Sequence, residues 1–143
     1  MKLEEIHELW EKDAFIDSTD LTSESLKIPK LLSKYYRIFI EEKKTLMITM
    51  KKYKELKHEK YEFLCNPTEE DVREKGWKVP ARTILKSEYT NYLDGDSDLL
   101  NLELKVGVQQ EKVDFLKSIL QSLSTRGFLI KNAIEDRKYM NGG

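Results

Sequence analysis

Residues 94–134, DGDSDLLNLELKVGVQQEKVDFLKSILQSLSTRGFLIKNAI, decide the fold. From Leu99 the series Leu99, Leu102, Val106, Gln109, Val113, Leu116, Leu120, Leu123, Gly127, Ile130, Ile134 steps by three and four residues without a slip, and only Gln109 and Gly127 are not bulky apolar residues. That period belongs to one helix of about five heptads, roughly 54 Å long at ~1.5 Å per residue. Val108, Phe115, Ile119, Leu129 and Ala133 form a second, partial stripe beside the first. An apolar face this broad suits a helix that packs on two neighbours, whether in its own chain or in a ring of copies. The aspartates that precede it have the 1, 3, 5 spacing of a calcium loop. Leu99 and Lys105 stand where such a loop needs glycine and glutamate, so the acids are expected to cap the helix instead.

Outward from this helix, the remaining chain is also helix-forming. It has 143 residues, 36% of them charged, with only six glycines and three prolines, a composition that disfavours a β-sandwich or a Rossmann-type sheet. Leu3, Ile6 and Trp10 predict a short amphipathic helix over 2–13. Thr22, Ser23 and Ser25 offer caps for a second helix that starts between 22 and 29 and ends near Cys65, where Asn66-Pro67 stops it. Its apolar stripe is Leu32, Tyr35, Phe39, Leu46, Met50 and Tyr53, with Glu41 and Glu42 expected to face water and Pro29 expected no deeper than the first turn. Between 66 and 93 lies an irregular segment, with a short helix capped by Thr68 and another near 83–93. The expected organisation is therefore all-α, a bundle of long helices: a helical region with a basic helix over 1–65, a linker region over 66–93 and an oligomerising heptad helix over 94–143. Leu102, Val106, Val113, Leu116, Leu120, Leu123 and Ile130 are the expected subunit contacts.

The 25 basic and 26 acidic residues nearly cancel, giving a formal net charge of −1, but they are not evenly spread. Residues 1–24 carry −6; residues 27–60 hold eleven basic residues against four acids, +7; residues 94–116 carry −4 and 117–143 carry +3. A +7 segment in a neutral chain is the footprint of a polyanion partner, since each phosphate that meets Lys or Arg releases counterions. Pairing of the acidic and basic blocks within or between chains is the other reading. Within the block, Lys51, Lys52, Lys54, Lys57 and Lys60 interleave with Tyr53, Tyr61 and Phe63, and His58 stands among them. Ammonium groups that follow phosphates and aromatic faces that stack on unpaired bases bind single-stranded nucleic acid in this way. The competing reading makes Tyr53, Leu56 and Tyr61 core residues with lysines facing water.

Chemistry for an enzyme is missing from the pattern. None of the glycines fits a phosphate-binding loop, His7 and His58 have no zinc spacing, and Cys65, the single cysteine, lacks a nucleophile signature. The expectation is a protein that is not an enzyme and needs no metal or cofactor. No basic-then-apolar leader opens the chain and no run reaches the ~18 apolar residues of a membrane span, so a soluble protein in a reducing compartment is expected.

Three stretches, Met1-Lys2-Leu3-Glu4-Glu5-Ile6, Lys12-Asp13-Ala14-Phe15-Ile16-Asp17-Ser18-Thr19 and Thr125-Arg126-Gly127-Phe128-Leu129-Ile130-Lys131-Asn132, resemble the UvsY family of recombination mediators from T-even-type bacteriophages. The resemblance implies a ring-like homo-oligomer, a hexamer or heptamer, assembled through the C-terminal region. It also implies binding of single-stranded DNA and loading of a RecA-like phage recombinase of the UvsX type onto strands coated by the phage single-strand-binding protein, in the cytoplasm of the infected host. The family's DNA-contact segment falls on His58 and Lys60, followed by Phe63 and Leu64. Histidine is not a permanent cation, so either Lys57 substitutes for it or the site depends more on pH. A structural scaffold whose charge blocks pair between subunits, with no role on DNA, is the alternative from another class.

Overall fold

The computed structural model describes residues 1–142. Five α-helices follow one another: α1 (Leu3–Ala14), α2 (Leu21–Cys65), α3 (Glu69–Lys75), α4 (Tyr89–Asp94), preceded by a 3-10 turn at Lys86–Glu88, and α5 (Ser97–Met140). Among the described residues there is no strand, and no helix is long and apolar enough to cross a membrane. The all-α class and the heptad helix are as the sequence predicts. α5 runs unbroken through Gly107 and Gly127.

Carboxylates start both long helices. Asp20 caps α2 by accepting the backbone N–H of Ser23 at 3.2 Å, and Asp96 caps α5 by accepting that of Leu99 at 3.0 Å. The α2 cap thus lies just before the predicted Thr22, Ser23 and Ser25, and Pro29 is the ninth residue of the helix rather than part of its first turn. Proline removes one N–H donor, so the Ser25 carbonyl loses its intrahelical partner, but α2 continues past it. α3 begins as its sequence suggests, with Thr68 accepting the Asp71 N–H at 3.2 Å, and the structure shows it closed by Gly76 at φ 67°, a conformation that favours glycine.

Two compact units share the long helices: Met1–Thr45 with Gln109–Gly143, and Leu46–Val108. The linear division at 65 and 93 does not capture them, because each unit takes its own stretch of both α2 and α5.

In the first unit Ile6 of α1, Tyr35 of α2 and Leu116, Ile119 and Leu123 of α5 form a fully buried cluster, flanked by Trp10, Leu32, Phe39, Phe115 and Leu120. His7 stacks on Phe115 at 4.0 Å and Trp10 meets Tyr35 edge-on at 5.5 Å. Arg126 lies over Trp10 and donates to the backbone carbonyls of Asp13 and Ala14 at 3.0 and 3.1 Å, satisfying acceptors that the end of α1 leaves open.

This packing corrects the expected subunit contacts. Val113, Leu116, Leu123 and Ile130 are buried in the core of their own chain, and Leu120 is half-buried against it. A side chain already covered has no surface to offer a neighbour. Leu102 and Val106, in the second unit, are half-buried. Glu42 is corrected too: it is buried rather than facing water, and Gln109, the polar step in the heptad series, donates to its carboxylate at 2.6 Å and to its backbone carbonyl at 2.8 Å. The Met1 ammonium also reaches that carboxylate, at 3.2 Å.

Candidate nucleic-acid interface

The basic and aromatic stretch lies wholly within the second unit, on α2. A helix turns 100° per residue, so residues adjacent in sequence separate onto different faces. Lys51, Lys52, Lys54, Lys57 and His58 are exposed. Lys51 stands 3.6 Å from Glu55, and His58 is the same distance from Glu62, both pairs on the open surface. Such pairs are weak and exchange readily for a phosphate. Among the described residues Lys52, Lys54 and Lys57 have no carboxylate within ion-pair distance, although the Lys57 ammonium lies 6.0 Å from the Tyr53 ring centroid.

Lys54, Lys57 and His58, together with Tyr61 and with Leu93 of α4, line an open groove of about 350 Å³. Lys54, Lys57, His58 and Tyr61, at positions i, i+3, i+4 and i+7, share one face of α2, so the aromatic ring stands among the basic side chains with Leu93 beside it. The Tyr61 ring is fixed edge-on against Tyr89, 5.4 Å between centroids. The neighbouring Cys65 thiol pushes the phenol pKa upward from its ordinary value. The result is a half-buried, oriented ring beside three basic side chains.

Lys60 and Phe63 are buried instead, and here the sequence expectation is corrected. Lys60 is buried, with its ammonium 3.0 Å from Asp96 and 2.7 Å from Asp98, and lies over the Trp77 ring at 4.6 Å. Its charge is spent inside the unit. Phe63 is 4% exposed and meets Trp77 edge-on at 5.3 Å, so it is a core residue and not a platform for a base. The Asp96 and Asp98 pair that imitates a calcium loop is the counter-charge of a lysine.

Sequence reasoning missed Leu93, Tyr89 and Trp77, all from the segment it left without a role. Aromatic residues in an otherwise polar linker were the available signal, since an exposed tryptophan in a loop is unusual unless it covers something.

The family model described as recombination, repair and ssDNA binding protein UvsY matches residues 9–143. The chain belongs to the UvsY family. A recombination protein uvsY of Enterobacteria phage T4 is 27% identical over 143 residues, covering 100% of this chain and 99% of the relative. Crystal structures of the bacteriophage T4 recombination mediator protein UvsY superpose with TM-scores of 0.81 (lattice type II, 27% identity, 100% of this chain and 99% of that one) and 0.80 (lattice type I, 25% identity, 95% and 98%). Fold and family membership of this UvsY-family chain are thereby established over its length.

Proposed function

We propose that this chain is a recombination mediator that grips single-stranded DNA through the groove of Lys54, Lys57, His58, Tyr61 and Leu93, with Lys51 and Lys52 as further phosphate contacts. The observation that carries the reading is the pairing of free ammonium groups with an oriented aromatic ring in one open groove. The ammonium groups neutralise phosphates while an unpaired base stacks on the ring among them, and a duplex, whose bases are already stacked, cannot use the ring. Membership of a family described by recombination, repair and ssDNA binding supports it.

In the full reading a homo-oligomer, a hexamer or heptamer, displays many copies of this groove. Weak contacts in each subunit then add through avidity. DNA held this way is released from its single-strand-binding protein and presented to a RecA-like phage recombinase in the cytoplasm of the infected cell. The chain itself acts without catalysis, metal or cofactor; nucleotide hydrolysis belongs to the recombinase. Phe128, Leu129, Tyr139 and Met140 of α5 are 62–82% exposed apolar side chains in the first unit and support assembly through the C-terminal end.

Fluorescence titration with a labelled oligothymidylate at several salt concentrations tests the DNA role. Affinity is expected to fall steeply with salt, and Lys54→Ala with Lys57→Ala to reduce the slope of log K against log salt by about 1.4, at ~0.7 per cation for a single strand. Binding that ignores salt, or no binding, would sink the reading and leave the scaffold alternative standing.

A further inference from the structure

Another basic groove lies on α2, in the first unit. Lys30, Ser33, Lys34 and Arg37 occupy positions i, i+3, i+4 and i+7, which place them on one helix face, and with Ile38 they line an open groove of about 440 Å³. Lys34 is neutralised by Asp13 at 2.6 Å, a carboxylate that also accepts the Tyr35 hydroxyl at 2.7 Å. On either side of that satisfied pair, Lys30 and Arg37 are exposed, and among the described residues neither has a carboxylate within ion-pair distance. Nearby Lys27, by contrast, has Glu24 at 2.9 Å.

The chemistry of this face is that of a phosphate track. Lys30 and Arg37 are seven residues apart, about 10.5 Å along the axis at ~1.5 Å per residue. The Ser33 hydroxyl lies between them as a neutral donor. Arg37 offers a planar fork that meets two phosphate oxygens at once, and Lys30 a mobile point charge. No aromatic ring lines the groove, so bases have nothing to stack on, and recognition is confined to the sugar-phosphate backbone.

We propose that Lys30, Ser33 and Arg37 form a second nucleic-acid contact, one that binds backbone phosphate of the same single strand without reading its bases. The inference rests on the proposed DNA role and extends it to a site in the other unit. It predicts that each chain neutralises phosphates at two places, only one of which has a stacking ring.

The test is Lys30→Ala with Arg37→Ala in the full-length chain, titrated with labelled oligothymidylate across a salt series beside the wild type, Lys54→Ala/Lys57→Ala and the charge-keeping Lys30→Arg/Arg37→Lys. The alanine pair is expected to reduce the salt slope by about 1.4, from ~0.7 per lost contact, to weaken binding severalfold at low salt and to melt with the wild type, since both side chains are exposed. The charge-keeping pair is expected to retain the wild-type slope. A wild-type slope in the alanine pair overturns the second contact while leaving the 51–61 groove intact. A slope that falls in this pair but not in Lys54→Ala/Lys57→Ala supports the second contact and sinks the first. A change of assembly mass by light scattering with an unchanged DNA slope overturns the proposal in favour of an acidic surface of another copy, and a wild type that binds no DNA overturns both.

Discussion

Gln109 donates its amide to the Glu42 carboxylate at 2.6 Å with both side chains buried, so the polar break in the heptad series of α5 is matched to a buried acid of α2. A polar pair inside an apolar seam fixes register, because any slip along the helices strands a charge in the core. Gln109→Leu is expected to destabilise the protein by about 1–3 kcal/mol, the cost of a buried acceptor left short of a donor. Glu42→Gln, which removes the charge but retains a hydrogen-bonding group, is expected to cost less. Urea denaturation of the two variants beside the wild type checks the order, and a Gln109→Leu protein as stable as the parent would contradict the register role.

Lys60 separates folding from DNA binding. With its ammonium held by Asp96 and Asp98, Lys60→Met is expected to lower the melting temperature and to leave the salt slope of DNA binding where it was, because no phosphate contact is lost. Asp98 is more than half exposed, which screens its share, so a loss of about 1–3 kcal/mol is expected rather than that of a fully buried triad. Thermal denaturation and the salt titration, performed on one preparation, distinguish this from a phosphate-binding lysine, whose loss would flatten the slope and spare the melt.

Two aromatic residues of α2, two positions apart, are expected to fail in different ways. Phe63→Ala opens a cavity beside Trp77 and is expected to cost about 3–5 kcal/mol of stability. Tyr61→Ala is expected to fold and to weaken single-strand binding by about 1–3 kcal/mol, while Tyr61→Phe retains most of the affinity because the ring, not the hydroxyl, stacks. An abasic oligonucleotide sharpens the measurement: the Tyr61→Ala penalty should vanish on it. A penalty of equal size on abasic and normal strands would rule out stacking.

What the sequence could and could not disclose follows from which contacts are local. Periodicity and caps are local, so α5 as a single helix, the end of α2 at Cys65 and the Thr68 cap of α3 were all legible. The direction of one lysine among five is not. Lys57 and Lys60 are neighbours only three positions apart on α2, and what buries Lys60 is its pairing with Asp96 and Asp98, 36 and 38 residues away. The same limit governs the apolar series: three-and-four spacing marks a buried face without saying whether the cover is the same chain or another, and Leu116 and Leu123 proved to be covered by α1 and α2. Glu42 looked solvated because its partner, Gln109, lies 67 residues further on.

Asp13 ties α1 to α2 and makes that tie sensitive to acid. Burial pushes its carboxyl pKa up, but hydrogen bonds from Lys34 at 2.6 Å and Tyr35 at 2.7 Å, with the charges of Lys34 and Arg126, outweigh it and hold the group below its ordinary 3.8. A carboxyl whose pKa is lower folded than unfolded contributes stability that is fully present above the unfolded value and is lost as pH falls through the folded one. Asp13→Asn is therefore expected to cost about 1–3 kcal/mol at neutral pH. The gap between the two proteins should stay constant from neutral pH down to about pH 5 and shrink below the ordinary carboxylate value, as the wild type loses what the variant never had. Urea denaturation at a series of pH values measures that gap directly. A gap that instead widens on acidification would mean that Asp13 is held above its ordinary value, with burial stronger than Lys34 and Tyr35 together.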